Sequence, residues 1–400
     1  MTLPQHHFIH AIDEFLSLMN ISQEEVENIN LVVDSFMKFV DTRVAPNRVK
    51  YDLTQSIPIG DIKEVFAQNI QALSVPEALG GLALPYLVYI ISMEILSYGS
   101  PSMANVVWAS GSVIDGLVNF GNEHQQDKFL RHLLKGESIG AITMTEPSGG
   151  SSIRDIKTIA RKDGNKYYLS GEKVFITNAG IADTLLVFAS SQNGMSAFLV
   201  PRDSDGLLVS EPISKIGLRG TGIHQVLLNE VEVPEENILG GEGRGLDIAK
   251  HIFVGGRITG AALALGISDL ALELAVEYSS SRKIFGAKLI DHQLTKEKVS
   301  LMGSNVHSTR LSTYFSAMIS DRYGRERAMK SASIAKLLTT EGTLKTCDEL
   351  ISIYGGYGYT MENRLDISML WRDVKGLTIV EGTSDIQKLI ISHEVRKEVE

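Results

Sequence analysis

From Glu24 to about Leu134 the apolar residues recur at helical spacing, as in Val32, Val33, Phe36, Phe39 and Val40, and turn clusters such as Pro76-Glu77-Ala78-Leu79-Gly80-Gly81 punctuate the run. This pattern predicts an all-helical region. Its stretches from Tyr86 to Tyr98 and from Ala104 to Phe120 are too apolar to be wetted on every side, so they are expected to pack against another part of the chain. Near Ser138 the period shortens to alternating or β-branched runs: Ala141 to Met144, Thr158 to Ala160, Tyr167 to Ser170, Leu185 to Ala189, Ala197 to Val200 and Val226 to Leu228. Asp163-Gly164 predicts a hairpin between two of them. After Leu246 the helical period returns, with a first helix from Arg257 to Tyr278 rich in Ala, Gly and Leu. A second follows His292, a third runs from Arg325 to about Ile353, and the last begins at Thr383. The order expected is helical domain, β domain, helical bundle.

Composition narrows the classes of function. The chain has 400 residues, 44% of them hydrophobic, enough for a large core and two or three domains. A formal net charge of -10 argues against a nucleic-acid partner, which selects a basic face. The single Cys347, in a helical run, excludes a disulfide framework and a cysteine-based metal site, and reads as a buried thiol. No His, Asp or Glu spacing suggests a metal. Met1 to Phe15, with Asp13 and Glu14, reads as neither a signal nor a transit peptide. The apolar run Ile258 to Ile267 is broken by Asp269 and Glu273 and falls short of the ~20 residues of a membrane span. A cytoplasmic protein with no membrane span is expected.

Several segments carry candidate chemistry. Glu381 stands beside a helix start, with Thr383 as the expected cap, Asp385 in the first turn, and Ile386, Leu389 and Ile390 as an apolar face. A helix start presents unpaired N–H groups suited to phosphate or an oxyanion, so Glu381 reads either as a general base at the edge of a cofactor site or as a capping carboxylate. Thr145-Glu146-Pro147-Ser148-Gly149-Gly150-Ser151-Ser152 follows a strand and lacks bulky side chains, which makes it a polar cradle or a surface turn. Phe175-Ile176-Thr177-Asn178 sets an aromatic and a hydroxyl before a turn, fit to cover a planar ring or to belong to the β core. Ser281-Arg282-Lys283-Ile284-Phe285-Gly286, with His292 and Gln293, offers a guanidinium for a pyrophosphate or cations that complement a helix dipole. Tyr354-Gly355-Gly356-Tyr357 and Trp371-Arg372-Asp373 read as close-approach or helix-ending loops. The run Gly240-Gly241-Glu242-Gly243-Arg244-Gly245 follows Pro234-Glu235-Glu236-Asn237 instead of a strand, so it reads as a linker and not as a dinucleotide fingerprint.

Together, in this order and from about Glu24 to Val395, these segments resemble the acyl-CoA dehydrogenase family. The resemblance rests on Thr145-Glu146-Pro147, Ile176-Thr177-Asn178, Arg282 to Gly286 with Gln293, Gly355-Gly356 and Glu381-Gly382-Thr383. It implies an α+β chain with an N-terminal α-helical domain (1–138), a central β-barrel or sandwich domain (139–243) and a C-terminal four-helix bundle (244–400). It also implies FAD bound across a subunit contact, and a homodimer or homotetramer. Met144, Thr145, Gly150 and Ser151 would line the flavin, and Phe175, Ile176 and Thr177 would cover its ring, with Phe175 in place of the usual tryptophan. Arg282, Phe285, His292, Gln293 and Gly356 would meet the adenosine diphosphate half of a neighbour's FAD, with Thr383 and Asp385 closing on the cofactor. Glu381 would be the base that takes the α-proton of an acyl-CoA thioester while hydride passes from the β-carbon to flavin N5. The carbonyl would be held by a ribityl hydroxyl and the Glu381 N–H, and electrons would go on to an electron-transfer flavoprotein.

The departures bear on the substrate. Gly256 stands where some members of the family place the base, before Arg257, which leaves Glu381 as the candidate. Of the expected substrate contacts Ser151, Arg257, Val254 and Val380, Val254 replaces an aspartate that helps hold pantetheine, and Val380 replaces a common tyrosine. Ser352 stands for the usual glutamine and Ser152 for the usual aspartate. These changes motivate an alternative, oxidation of an acyl or aminoacyl group tethered to a carrier protein. Trp108 falls near the floor of the acyl pocket, where it would favour small or branched acyl groups, or else belongs to the core.

Overall fold

The computed structural model describes residues 15–16, 22–361 and 365–400, so the N-terminal residues read above as carrying no leader lie, up to 14, outside the described residues. Helix α1, Gln23–Phe39, starts at a capping box in which Ser22 and Glu25 satisfy each other's free N–H groups. Helices α2, Tyr86–Gly99, and α3, Pro101–Phe120, meet at Ser100, whose hydroxyl accepts from the Met103 N–H, with Pro101 preset for the first turn. Every residue of α2 is buried, as its lack of a polar face requires. Its cover is the bundle helix α4, Gly245–Ser281, and Ser97 Oγ donates to Leu263 O at 2.6 Å.

Eight strands form one sheet: β1 Gly140–Thr143, β2 Ile159–Asp163, β3 Lys166–Thr177, β4 Thr184–Ser191, β5 Gly194–Pro201, β6 Leu207–Val209, β7 Ile223–Pro234 and β8 Ile238–Leu239. The order is β6-β7-β3-β2-β4-β5-β8, with β1 parallel to β4 on the same sheet. The sheet surrounds a core of its own, to which Tyr167, Leu185, Phe198, Val226 and Val231 contribute. Alternate residues of β4 and β5, Leu186, Phe188 and Leu199, face outward onto Ile114 and Leu117 of α3 and Ile248 and Ile252 of α4. Covered on both sides, β4 reads as an unbroken apolar run. The Asp163-Gly164 hairpin is present, with Asp163 opposite Lys166. Strand β3 is far longer than its pattern predicts, because Gly171, Glu172 and the buried Lys173 interrupt the apolar alternation, and bulges shift the register near Gly171 and between Lys173 and Ile176. Strands β6 and β8 are too short to show in the pattern. Strand β8 does precede the glycine run, but it pairs antiparallel with β5, so no βαβ unit exists there.

The C-terminal helices are α4, then α5, Gln293–Tyr354, broken at Gly324 (φ 81°, ψ 169°) into the expected second and third helices, and α7, Ser384–Val399. Between them lies α6, Leu365–Leu377, which the sequence reading took as a loop around Trp371-Arg372-Asp373. Helix α4 is long and apolar enough to cross a membrane, yet 83% of its most apolar window is buried within the protein. The first helical region and the bundle share one core, in which Cys347 is fully enclosed.

Candidate active site

Glu381 sits in the turn between α6 and α7 with φ 54°, followed by Gly382 at φ 87°. Thr383 caps α7 as expected, its Oγ1 accepting from Ile386 N at 3.3 Å. The buried residue of α7 is not on the expected apolar face, since Leu389 is 66% exposed; it is Gln387. Gln387 Nε2 donates to the carbonyls of Glu381 (3.0 Å) and Gly382 (2.8 Å), and Lys336 Nζ, from the second arm of α5, donates to Gly382 O at 2.8 Å. The carboxyl of Glu381 lies against α4 at Gly256, where an added Cβ would be 2.7 Å from Cδ and Oε2. The residue is partly exposed, but its Oε2 is sealed from solvent and has no hydrogen-bond partner. The carboxyl environment is therefore a buried one, and burial pushes the group up to about 7 against the opposing pull of Arg257 and Lys336. Arg257 is itself buried, with Nε and Nη1 unpartnered. Val380 is half-exposed, whereas Val254, on the same helix as Arg257, is 1% exposed and part of the core, so it offers no contact surface to a substrate.

The cradle from Thr145 to Ser152 is held from beneath by Glu146. Its carboxylate accepts from Lys157 N (2.6 Å), Thr158 N (2.9 Å), Thr158 Oγ1 (2.6 Å) and Lys173 Nζ (2.9 Å), and these bonds keep it at about 2 although burial opposes them. Gly150 and Ser151 are exposed above it, and nothing approaches within 4 Å of a Cβ built on Gly149. Phe175, in the β3 bulge at φ 61°, is 58% exposed and offers a bare ring face. Ile176 departs from its expected place: it is 3% exposed, inside the sheet core. Met144 is likewise buried, with its carbonyl taken by Lys173 Nζ at 3.3 Å, while Thr177 is half-exposed. Asn178 ties this turn to α3 through Nδ2 to Val106 O at 2.9 Å.

Most of the remaining predicted residues lie where α4 ends and where α5 begins and ends, while Asp385 is in the first turn of α7. Arg282 follows α4 as its cap, and Phe285, at φ 48° on a two-strand hairpin of Lys283–Ile284 and Ala287–Lys288, is 95% exposed. Its ring stands edge-on to His292, 6.2 Å between centroids, and His292 Nε2 lies 3.1 Å from Ile284 O. Gln293, Gly356 and Asp385 are exposed, the last bonded to Lys388 Nζ at 2.9 Å. Among the described residues no hydrogen bond or ion pair joins this group to the cradle. The exposed Phe175 ring and the open glycine turn have the chemistry to take a flavin's ring system, and the exposed Arg282 guanidinium that to take a pyrophosphate.

A cleft of about 320 Å³ opens among α2, α3, α4 and the Gly324 corner, and Gly256 and Trp108 both line it. Trp108 packs over α4 at Gly260, whose added Cβ would be 3.1 Å from Cη2. Lys336 and Gln387 were missed by the sequence reading. The available signal was a lysine on the buried stripe of Ala328, Ala332, Ala335 and Thr339, where a cation needs a reason.

Profiles of the acyl-CoA dehydrogenase N-terminal, middle and C-terminal domains match residues 27–137, 141–231 and 243–395. An acyl-CoA dehydrogenase of Bacillus subtilis is 34% identical over 380 residues, covering 94% of this chain and 98% of the relative. The human mitochondrial short-chain specific acyl-CoA dehydrogenase is 34% identical over 377 residues, covering 93% and 90%. Among solved structures, butyryl-CoA dehydrogenase of Megasphaera elsdenii superposes with a TM-score of 0.88 at 31% identity, covering 94% of this chain and 99% of that one. The prolyl acyl carrier protein oxidase AnaB gives 0.88 at 28% identity, covering 94% and 99%. A glutaryl-CoA dehydrogenase of Mycobacterium smegmatis in complex with FADH2 gives 0.87 at 26%, covering 94% and 95%. With its three domains matched in order and relatives one-third identical over nearly their full length, the chain belongs to the acyl-CoA dehydrogenase family of FAD-dependent oxidoreductases.

Proposed function

We propose that the protein dehydrogenates a short acyl-CoA at the α,β-bond, with Glu381 as the base that removes the α-proton. The observation that carries this reading is the Glu381 Oε2: buried, unpartnered, set against a residue with no side chain, and flanked by two cations. An α-proton of a thioester is weakly acidic, so its removal needs a carboxylate that is desolvated yet ionised near neutral pH. The main-chain N–H of Glu381, which has no acceptor among the described residues, is the donor for the thioester oxygen. FAD, when bound, supplies the acceptor for the hydride from the β-carbon. The Thr145, Gly150, Ser151, Phe175 and Thr177 surfaces, with the main chain of Met144 and Ile176, would hold its flavin half. Arg282, Phe285, His292, Gln293 and Gly356 of a neighbouring copy would hold its adenosine diphosphate half, with Thr383 and Asp385 nearby. A homodimer or homotetramer is the working form that the family reading carries. Trp108 over Gly260 favours short or branched acyl groups, and an electron-transfer flavoprotein is the acceptor that the family reading carries.

The test is the visible spectrum of the purified protein, followed anaerobically on adding short, branched and medium acyl-CoA thioesters. Bleaching of the flavin band by a short ester is expected. The rate should rise with pH through about 7, because the base acts only when ionised and its carboxyl ionises there. Glu381→Gln should keep its flavin and lose at least ~100-fold in rate; near-wild-type reduction in that variant places the base elsewhere. AnaB is described as acting on a prolyl carrier protein, and the loss of a polar group at Val254 favours the same kind of donor as a second reading. Flavin that no CoA ester bleaches, but a carrier-bound acyl group does, makes that reading the better one.

A further inference from the structure

We infer that Lys336 and Gln387 are positioning residues for the base, together clamping the Glu381-Gly382 main chain from two helices, with the Lys336 ammonium also holding the charge of the Glu381 carboxylate. The inference rests on the reading of Glu381 as the base. Two consecutive residues in the left-handed region, one of them not glycine, persist only where the surroundings over-determine them. Here three hydrogen bonds do so, from Gln387 Nε2 to both carbonyls and from Lys336 Nζ to Gly382 O. They fix the direction of the Glu381 N–H and of its Cα–Cβ bond at once, so base and oxyanion donor keep one relative geometry.

The choice of lysine is not explained by the carbonyl. Gly382 O already accepts from Gln387 at 2.8 Å, and a second neutral donor would satisfy it fully. An ammonium in a residue that is 1% exposed is costly to bury, and its one hydrogen bond among the described residues goes to that carbonyl. The charged groups that face it are Glu381 and Arg257 from neighbouring elements and Glu341 on its own helix, while those facing Glu381 are Arg257 and Lys336. Burial lowers Lys336 to about 8 and raises Glu381 to about 7, and the attraction between them opposes both shifts. Its charge therefore serves to keep a buried carboxylate ionised.

The experiment is an infrared titration of the Glu381 carboxyl in the FAD-loaded protein, isolated as the band that Glu381→Gln removes, alongside the pH profile of flavin reduction. Lys336→Met leaves Gly382 O bonded to Gln387, so fold and flavin content should hold, and the titration midpoint and the acid limb of the rate profile should both move up by about one pH unit. Lys336→Arg, which keeps the charge, should leave the midpoint in place while lowering kcat more than it changes KM. Lys336→Gln, which keeps a neutral donor, replaces the methionine variant if that one does not accumulate. An unmoved midpoint in the neutral variants overturns the inference and leaves Lys336 as a structural cap. A shifted midpoint in a protein whose flavin no thioester reduces is a different failure, that of the dehydrogenase reading alone.

Discussion

At Gly256 a side chain would collide with the business end of the site, since its Cβ would lie 2.7 Å from the Glu381 carboxyl. The atoms it meets end a flexible side chain, so the collision is relieved by swinging Glu381 away at little cost to the fold. Alanine is also worth about 1 kcal/mol more than glycine inside a helix. Gly256→Ala should therefore leave the melting temperature unchanged or raised, while flavin reduction slows by ~10- to 100-fold because the proposed base is misplaced by an ångström or so. Parallel melting and stopped-flow measurements check both halves; a variant with an unchanged rate means that Glu381 reacts from another position. At the same scale, Phe175, Phe285 and Glu381 all hold left-handed φ values, and each belongs to a segment that the sequence singled out as chemical. Strain of this kind is tolerated where a side chain must be aimed.

Helix α2 and helix α4 approach through Gly266, where a Cβ would lie 2.3 Å from Glu94 O and 2.7 Å from Tyr98 N. Those are main-chain atoms and cannot step aside singly. The same contact surface carries the buried Glu94 carboxylate, bonded to Arg310 Nη2 at 2.8 Å and Tyr314 Oη at 2.7 Å, so moving the helices apart also stretches a charged network. Gly266→Ala should lose ~2 kcal/mol net, overpacking outweighing the better helix propensity. Urea unfolding measures this, and a neutral or stabilised variant would show that the helices slide freely at that crossing. The contrast with Gly256 is one of neighbours: the same added methyl group meets a side-chain tip in one place and a backbone in the other.

Across the whole molecule, Asp52 joins the three regions. It is 2% exposed and accepts from Arg372 on α6 through both oxygens, at 2.9 and 2.8 Å, with Arg219 of the β domain at 3.4 Å. Arg372 reaches on to Ile216 O at 2.7 Å, and the next residue, Asp373, accepts from Leu218 N at 2.5 Å. These contacts dock α6 against the loop before β7 and hold the end of the helix that leads to Glu381. Asp52→Ala leaves two largely buried guanidinium groups without their carboxylate, so a loss of ~3 kcal/mol is expected in thermal or chemical unfolding. A change within experimental error would mean that water replaces the carboxylate at that junction.

The sequence alone determined the order of helical, β and helical regions, because hydrophobic period is a local property that survives any arrangement in space. It also determined the Thr383 cap, the Asp163-Gly164 hairpin and the buried Cys347, each written in a few adjacent residues. Tertiary structure alone decided which of the marked residues are buried and which are exposed. Ile176 and Val254 turn into cores, Gln387 is buried where Leu389 was expected, and α6 forms where a loop was expected, because burial depends on what distant segments lie opposite. The state of the Glu381 carboxyl belongs to the same class. It is set by Gly256 and Arg257 on α4 and Lys336 on α5, residues 125, 124 and 45 positions away in the chain, and desolvation and Coulomb forces act through space without regard to sequence separation.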